Sequence, residues 1–208
     1  MTLEAAPPRP VVDLRVIFGA TLAVIIAVLA LVSLAWTPHG AASLTPLAEP
    51  DASHWIGTDA IGRDGTSVLM AATLTTLLLS VFGTLASLFV GIPIGVALAL
   101  RLPATRHTAH AIGMLPPALL IGMVVSGLAA PANLTLFLAI AILIEVSLSF
   151  AGLGVLSPGA SLGLMLRDSQ QVMTIRPLLI LVPGAVAVIT SLALMLAASG
   201  LRGVRHGA

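Results

Sequence analysis

The sequence predicts an all-α integral membrane protein, and two observations lead to that class. Hydrophobic residues make up 58% of the 208 residues and charged residues only 8%, whereas about a quarter of a soluble domain is charged. Four long stretches carry either no charged residue or, in one case, a single glutamate. Each is long enough to cross the roughly 30 Å hydrocarbon core of a bilayer as a helix, so we expect lipid to surround most of the chain.

Composition also excludes several classes of function. Cysteine is absent, which removes disulfides and thiolate metal sites, and a net charge of +1 does not favour a nucleic-acid partner. Lysine is absent as well, so no phosphate-binding loop of the Walker type is present. We interpret His107 and His110 as part of a basic turn beside the membrane. The sequence therefore predicts that the chain has no catalytic, cofactor-binding or metal site and is not an enzyme.

The first third of the chain holds a tail, a span and a loop. Residues 1–15 are predicted to form a polar N-terminal tail, and the uncharged run 16–38 the first span. A secretory signal peptide is the alternative, but its apolar region usually covers about 7–15 residues. Residues 39–64 carry half of the acidic side chains and are predicted to be an extramembrane loop.

The next uncharged run, residues 65–100, is too long for one span. As a single helix its 36 residues would reach about 54 Å at 1.5 Å per residue, well beyond the hydrocarbon core. We therefore predict that residues 65–76 lie in the interface and residues 77–100 cross the membrane. Gly83, Gly91 and Gly95 are expected to let another helix approach closely.

The remaining chain is interrupted by prolines and glycines. Helices are predicted at 112–130 and 134–151, a loop at 158–171, a last span at 177–201 and a C-terminal tail at 203–208. The sum is about five hydrophobic helices, four to five of them true spans, in one transmembrane domain over residues 16–202.

Two separated segments resemble one protein family. Residues 54–64 read HWIGTDAIGRD and residues 145–154 read EVSLSFAGLG. They are similar to the H-W-L-G-T-D-x-x-G-R-D and E-x-S-L-S-F-L-G-L-G signatures of C-type permease subunits of bacterial ABC importers for dipeptides, oligopeptides or nickel. A Pro-Gly pair inside the last run and the ending SGLR at 199–202 continue the resemblance. The matched positions are His54, Trp55, Gly57, Thr58, Asp59, Gly62, Arg63, Asp64, Glu145, Ser147, Ser149, Phe150, Gly152, Gly154, Pro183 and Gly184.

The resemblance implies a truncated version of the six-span importer permease fold in a bacterial inner (plasma) membrane. The function that it implies is import of peptides or related small solutes, with nickel a further candidate. The implied partners are a second permease that shares the translocation pathway, two ATPase subunits that hydrolyse ATP, and a soluble substrate-binding protein. The matched residues would then have structural or gating roles.

The motif residues also have a physical interpretation. Gly57 and Gly62 permit positive φ in tight turns, and Thr58 and Asp59 are suitable caps for a helix start. We expect Asp59, Arg63 and Asp64 to pair within the turn. An acid inside a membrane segment, such as Glu145, is a functional candidate by default; the alternative is that it lies near a helix end in water or pairs with Arg167.

One part of the family pattern is missing. The family carries, between its fourth and fifth spans, a cytoplasmic loop with an E-A-A motif and a glycine on a short helix that docks onto the ATPase. Between Arg106 and Glu145 this sequence has no acidic residue. The alternatives are therefore a non-transporting truncated paralogue, a structural membrane subunit, or a sequence from which a block has been lost by an assembly error.

Charge leaves two topologies open. If residues 111–153 cross twice, Arg167 and Arg176 lie inside; if they cross a net odd number of times, Arg202 and Arg205 lie inside instead. In both arrangements Arg63 is outside, and the count of arginines is six inside to three outside. The positive-inside rule therefore does not distinguish the two topologies. The inside arginines common to both are Arg9, Arg15, Arg101 and Arg106.

Overall fold

A computed structural model describes residues 14–36, 45–52, 54–101 and 131–206 of the chain. Within these ranges the chain is all-helical, with one isolated β-bridge between Thr58 and Asp64, which confirms the predicted fold class. The helices are α1 (Leu14–Val32), α2 (Gly65–Arg101), α3 (Pro131–Phe150), α4 (Leu162–Ser169) and α5 (Leu178–His206), and a 3-10 turn, Gln170–Val172, follows α4.

Four helices are long and apolar enough to cross a membrane. The candidate spans are Leu14–Val32, Gly65–Val90, Asn133–Phe150 and Leu178–Leu201. They correspond to the four uncharged or nearly uncharged runs of the sequence. The further helix expected at 112–130 and the histidines at 107 and 110 lie outside the described residues.

The loop predicted at 158–171 is wrong, because most of it is helical. Ser161 caps the start of α4: its side chain accepts a hydrogen bond from the Leu164 amide at 3.2 Å. Leu162, Leu164 and Met165 are buried, and the polar end of the helix is exposed. Eight residues with two apolar turns and a glycine give too short a pattern for helical periodicity to be recognised.

α2 continues without a break from Gly65 to Arg101. Its first three turns do not lie apart from the bundle, because Ala72 is fully buried and packs with Ile142 and Val146 of α3. Leu162 of α4 and Ala187 of α5 complete this cluster. The depth of residues 65–76 in a bilayer stays a prediction, whereas their burial among α3, α4 and α5 is observed.

This cluster defines one end of the bundle, which we call the loop end. It holds residues 45–64, which precede α2, and residues 151–177, which connect α3 to α5. Arg176 joins the two segments: its Nε donates to the Leu47 carbonyl at 3.0 Å and its Nη1 lies 3.1 Å from Glu49 Oε1. α1 and α3 therefore run towards the loop end, and α2 and α5 run away from it.

α1 and α5 pack closely through glycines. A Cβ atom at Gly19 would lie 2.5 Å from the Ala193 carbonyl oxygen of α5, and one at Gly200 would collide with Val16 of α1. The close approach predicted at Gly83 is wrong for the described residues, because a Cβ there would meet no atom within 4 Å. The surroundings of Gly91 and Gly95 lie outside the described residues.

The directions of the four helices help to choose between the two topologies that charge left open. Arg63, Arg167 and Arg176 all belong to the loop end, and Arg15 lies beside Gly200 at the other end. The arrangement that separates Arg176 from Arg63 does not agree with the contacts of Arg176. The structure thus favours the arrangement in which the three arginines of the loop end lie outside.

The first prediction follows from these directions. A fluorescent protein fused after Ala208 should fold and fluoresce in the cytoplasm, and alkaline phosphatase inserted between Pro50 and Asp51 should be active outside it. A dark C-terminal fusion together with inactive phosphatase would contradict the orientation. If only one of the two fusions reports the expected side, Ala208 and the loop end lie on the same side of the membrane, which would contradict the helix directions.

The second prediction concerns the contact between α1 and α5. Gly19→Ala should force the helices apart, because the new methyl group meets backbone atoms of Ala193 and Ala197; overpacking of this kind costs about 1–3 kcal/mol. Gly83→Ala is the matched control and should be neutral or stabilise by up to about 1 kcal/mol, since Ala is the better helix former. Thermal unfolding of both variants in one detergent measures the difference, and equal melting temperatures would contradict the packing.

Candidate functional site

The first motif folds into a compact turn at the loop end. Gly57 and Gly62 both have φ of 83°, which confirms the prediction of positive φ at these glycines. A Cβ at Gly57 would lie 2.5 Å from the Ala48 carbonyl oxygen, so this position requires glycine for space as well as for conformation. The Gly65 amide donates to the Gly57 carbonyl at 2.8 Å and closes the turn onto α2.

Thr58 organises the loop that precedes the motif. Its fully buried hydroxyl donates to the Thr45 carbonyl at 2.6 Å and accepts from the Ala48 amide at 2.8 Å. The expectation that Thr58 caps a helix is therefore wrong. Its partners lie 10 and 13 residues earlier in the chain, a distance over which a sequence pattern gives no signal.

Asp59 and Arg63 form the ion pair that the sequence predicted. Arg63 Nε lies 2.7 Å from Asp59 Oδ2, and the Arg63 amide donates to Asp59 Oδ1 at 2.8 Å. The Ile61 amide donates to the same oxygen at 3.0 Å. Asp59 thus closes an Asx-type turn and does not cap α2.

Asp64 is the residue that caps α2. Its Oδ2 accepts from the Ser67 amide and from the Ser67 hydroxyl, each at 2.8 Å, and the residue is only 2% exposed. A carboxylate at this place satisfies a free amide of the first turn and interacts favourably with the helix dipole. The sequence signal for this role was present, because an aspartate stands three residues before a serine at the start of a long apolar run.

His54 and Trp55 occupy the start of the motif in different ways. The His54 amide donates to Asp51 Oδ1, and the His54 carbonyl accepts from the Gly57 amide at 3.0 Å. His54 therefore shapes the turn, whereas the Trp55 side chain extends outwards and is 68% exposed.

The second motif forms the end of α3. The buried Ser149 hydroxyl donates to Glu145 Oε1 at 2.7 Å and accepts from the Val155 amide at 3.2 Å. Ser147 donates to the Leu143 carbonyl, one turn earlier. Glu145 Oε2 is buried and has no hydrogen-bond partner among the described residues. Glu145 thus accepts a hydrogen bond from the serine that holds the chain after α3.

Arg167 does not pair with Glu145 in the described structure, so that alternative is wrong. Its guanidinium instead lies over Gly152, where a Cβ would be 2.5 Å from Nη1. Gly152 has φ of 83° and turns the chain directly after the half-exposed Phe150. Glycine at 152 therefore makes room for the arginine and permits the turn.

Glycines also let α4 rest on α3. A Cβ at Gly163 would collide with the Val146 carbonyl, and one at Gly154 would collide with the Ser149 hydroxyl. In α5, Pro183 is fully buried and Gly184 faces Leu166 at van der Waals distance. The second motif and the Pro-Gly pair thus surround α4 from two sides.

The two motifs meet through α4 at the loop end. The Leu162 amide donates to Thr76 Oγ1 of α2 at 3.1 Å, and Ser169 donates to the Leu179 carbonyl of α5 at 3.0 Å. A cavity of about 20 Å³ lies between the first motif and α4, with Asp59, Arg63 and Asp168 in its wall. That volume suits one water molecule. Within the described residues no group of acidic or histidine side chains fits a metal ion.

Comparison with known proteins gives a partial relationship. No protein-family model matches the chain. The nickel transport system permease protein NikC of Escherichia coli K12, and that of Escherichia coli O157:H7, are 47% identical to it over 60 residues. The chain is a partial homologue of a nickel transport permease. The aligned stretch covers 26% of this chain and 22% of each relative. Together with the four candidate spans, this similarity supports a multi-pass membrane protein.

The third prediction tests the cap of α2. Asp64→Ala should destabilise the protein by about 1 kcal/mol, because the first turn of α2 loses its acceptor. Asp64→Asn should retain most of the stability, since the amide oxygen can accept from Ser67. Unfolding curves in detergent compare the two variants, and an equal loss in both would contradict the capping role.

Proposed function

We propose that the chain is a membrane-spanning permease subunit of an ABC-type importer for peptides or related small solutes, with nickel as a further candidate. The observation that carries the proposal is the 60-residue stretch that is 47% identical to a nickel transport permease. It occurs in a chain with four helices that can span a membrane. The chain spans about a fifth of the length of these relatives in that alignment.

The loop end supports a scaffold role for the two motifs. An ion pair closes the first motif directly before α2, the Thr76 hydroxyl joins α2 to α4, and glycine contacts join α4 to the end of α3. Its cavity of about 20 Å³ is too small for a peptide. A pathway between this chain and a second permease agrees better with this packing than one through the described helices.

The proposal includes the partners that the resemblance implies. The soluble substrate-binding protein would deliver solute at the loop end, which we propose as the outer face because it holds fewer arginines. Two ATPase subunits would act at the opposite face of the bacterial inner membrane. Because this chain has no lysine for a phosphate-binding loop, ATP hydrolysis would take place on those subunits.

A second candidate function rests on the sequence between Arg106 and Glu145. It contains no acidic residue, so the E-A-A helix that docks onto the ATPase in the resembled family is missing there. Without such an element, the movement of an ATPase has no direct route to these helices. The alternative is a membrane subunit with a structural role and no transport of its own.

The fourth prediction separates these functions. The chain is expressed with the second permease, ATPase and binding protein of a nickel or dipeptide importer, in cells that lack their own nickel and dipeptide permeases. If it is a transport subunit, it should co-purify with the ATPase, and cells should accumulate radiolabelled nickel or dipeptide. An ATPase variant without its Walker lysine is the control and should abolish accumulation.

The negative outcomes are also informative. Co-purification without accumulation would support the structural subunit. The absence of both, with the chain present in the membrane at normal level, would contradict the proposed permease function.

A further inference from the structure

Large apolar side chains are exposed in the turns at the loop end. They lie outside the four candidate spans. All of them except Trp55 are within six residues of the end of a helix, and Trp55 lies farther from the start of α2. Their exposed fractions run from 51% to 78%. The residues are Leu34 and Trp36 after α1, Trp55 and Ile61 before α2, Leu153 and Leu156 after α3, and Met173 and Ile175 before α5.

This set, which we call the apolar ring, flanks all four spanning helices. A docking surface for one protein would be expected on one side of the bundle. The ring instead places at least one such side chain beside the loop end of each span. Exposed apolar side chains also precede it in the chain, for example Leu29 and Leu31 near the end of α1.

Its chemistry is also that of a boundary between lipid and water. Both tryptophans of the chain, Trp36 and Trp55, belong to it and are 58% and 68% exposed. Tryptophan favours the membrane interface because its ring is apolar and its N–H donates a hydrogen bond. α4, which lies between Leu156 and Met173 in the chain, exposes the charged side chains Arg167 and Asp168, which would be unfavourable at the depth of the hydrocarbon core.

We propose that the apolar ring anchors the loop end in the interfacial region of the bilayer, with Trp36 and Trp55 at the level of the phospholipid headgroups. The first motif would then lie at the membrane surface and not project into the surrounding water. This inference depends on residence in the membrane and is independent of transport, so it can fail while the proposed function holds.

The absence of cysteine makes a direct test practical. Single-cysteine variants Ile61→Cys, Leu153→Cys and Ile175→Cys are spin-labelled in phosphatidylcholine nanodiscs, and Asp168→Cys is the matched control from the same end. Collision with oxygen, which concentrates in lipid, is compared with collision with chromium oxalate, which stays in water. Ring labels should collide preferentially with oxygen, and the control with chromium oxalate.

Tryptophan fluorescence gives a second, independent measurement. Trp36→Phe leaves Trp55 as the single emitter, and Trp55→Phe leaves Trp36. Lipids brominated near the headgroup should reduce emission from both more than lipids brominated deep in the chains. Each substitution conserves an aromatic ring, so folding should be retained, and the spin labels report even if one variant fails to fold.

Two outcomes would overturn the proposal. If the ring labels collide with chromium oxalate as strongly as the control does, and brominated lipids leave the emission of Trp55 unchanged, the loop end lies in water. If they become protected only when the second permease or binding protein is added, the ring is a protein interface. Protection in nanodiscs that contain this chain alone is the expected result.

Discussion

The burial of the first turn of α4 is the constraint on which the loop end depends. Ser161 and Leu162 are at most 2% exposed, and a helix start carries amides without partners in the helix itself. Thr76 of α2 accepts from one of them and the Ser161 side chain from another. Because α4 also rests on α3 where a side chain at Gly163 would not fit, these contacts fix the positions of three helices together.

The sequence was sufficient for features that depend on neighbours in the chain. Uncharged runs predicted the four candidate spans, and Gly57 and Gly62 predicted positive φ. Features that depend on distant contacts were missed or wrong. The helix α4 is too short to show a period, and the partners of Thr58 lie in another part of the loop. Among the described residues, the glycine that another helix approaches closely is Gly19 and not Gly83. A glycine in an apolar run shows that close packing is permitted, but only the neighbouring helix decides whether it occurs.

Both motifs contribute to structure more than to chemistry in the described residues. Asp59 and Asp64 accept from amides of their own turn, and Ser149 holds the chain that leaves α3. Glu145 is the exception in one respect, since one of its buried oxygens has no partner among the described residues. The motifs therefore explain how short polar segments can hold the ends of apolar helices together, which hydrophobic packing in lipid does poorly by itself.

The glycine contacts between α1 and α5 have a consequence for biosynthesis. α1 makes close contacts with α5 at Gly19 and Gly200 although the two helices lie far apart in the chain. Between Val32 and Leu178 lie 145 residues, and translation at about 5–20 residues per second needs roughly 7 to 30 s for them. During that interval α1 must be held by lipid, by the insertion machinery or by a temporary neighbour. The contacts that fix α1 in the bundle form only when α5 enters the membrane.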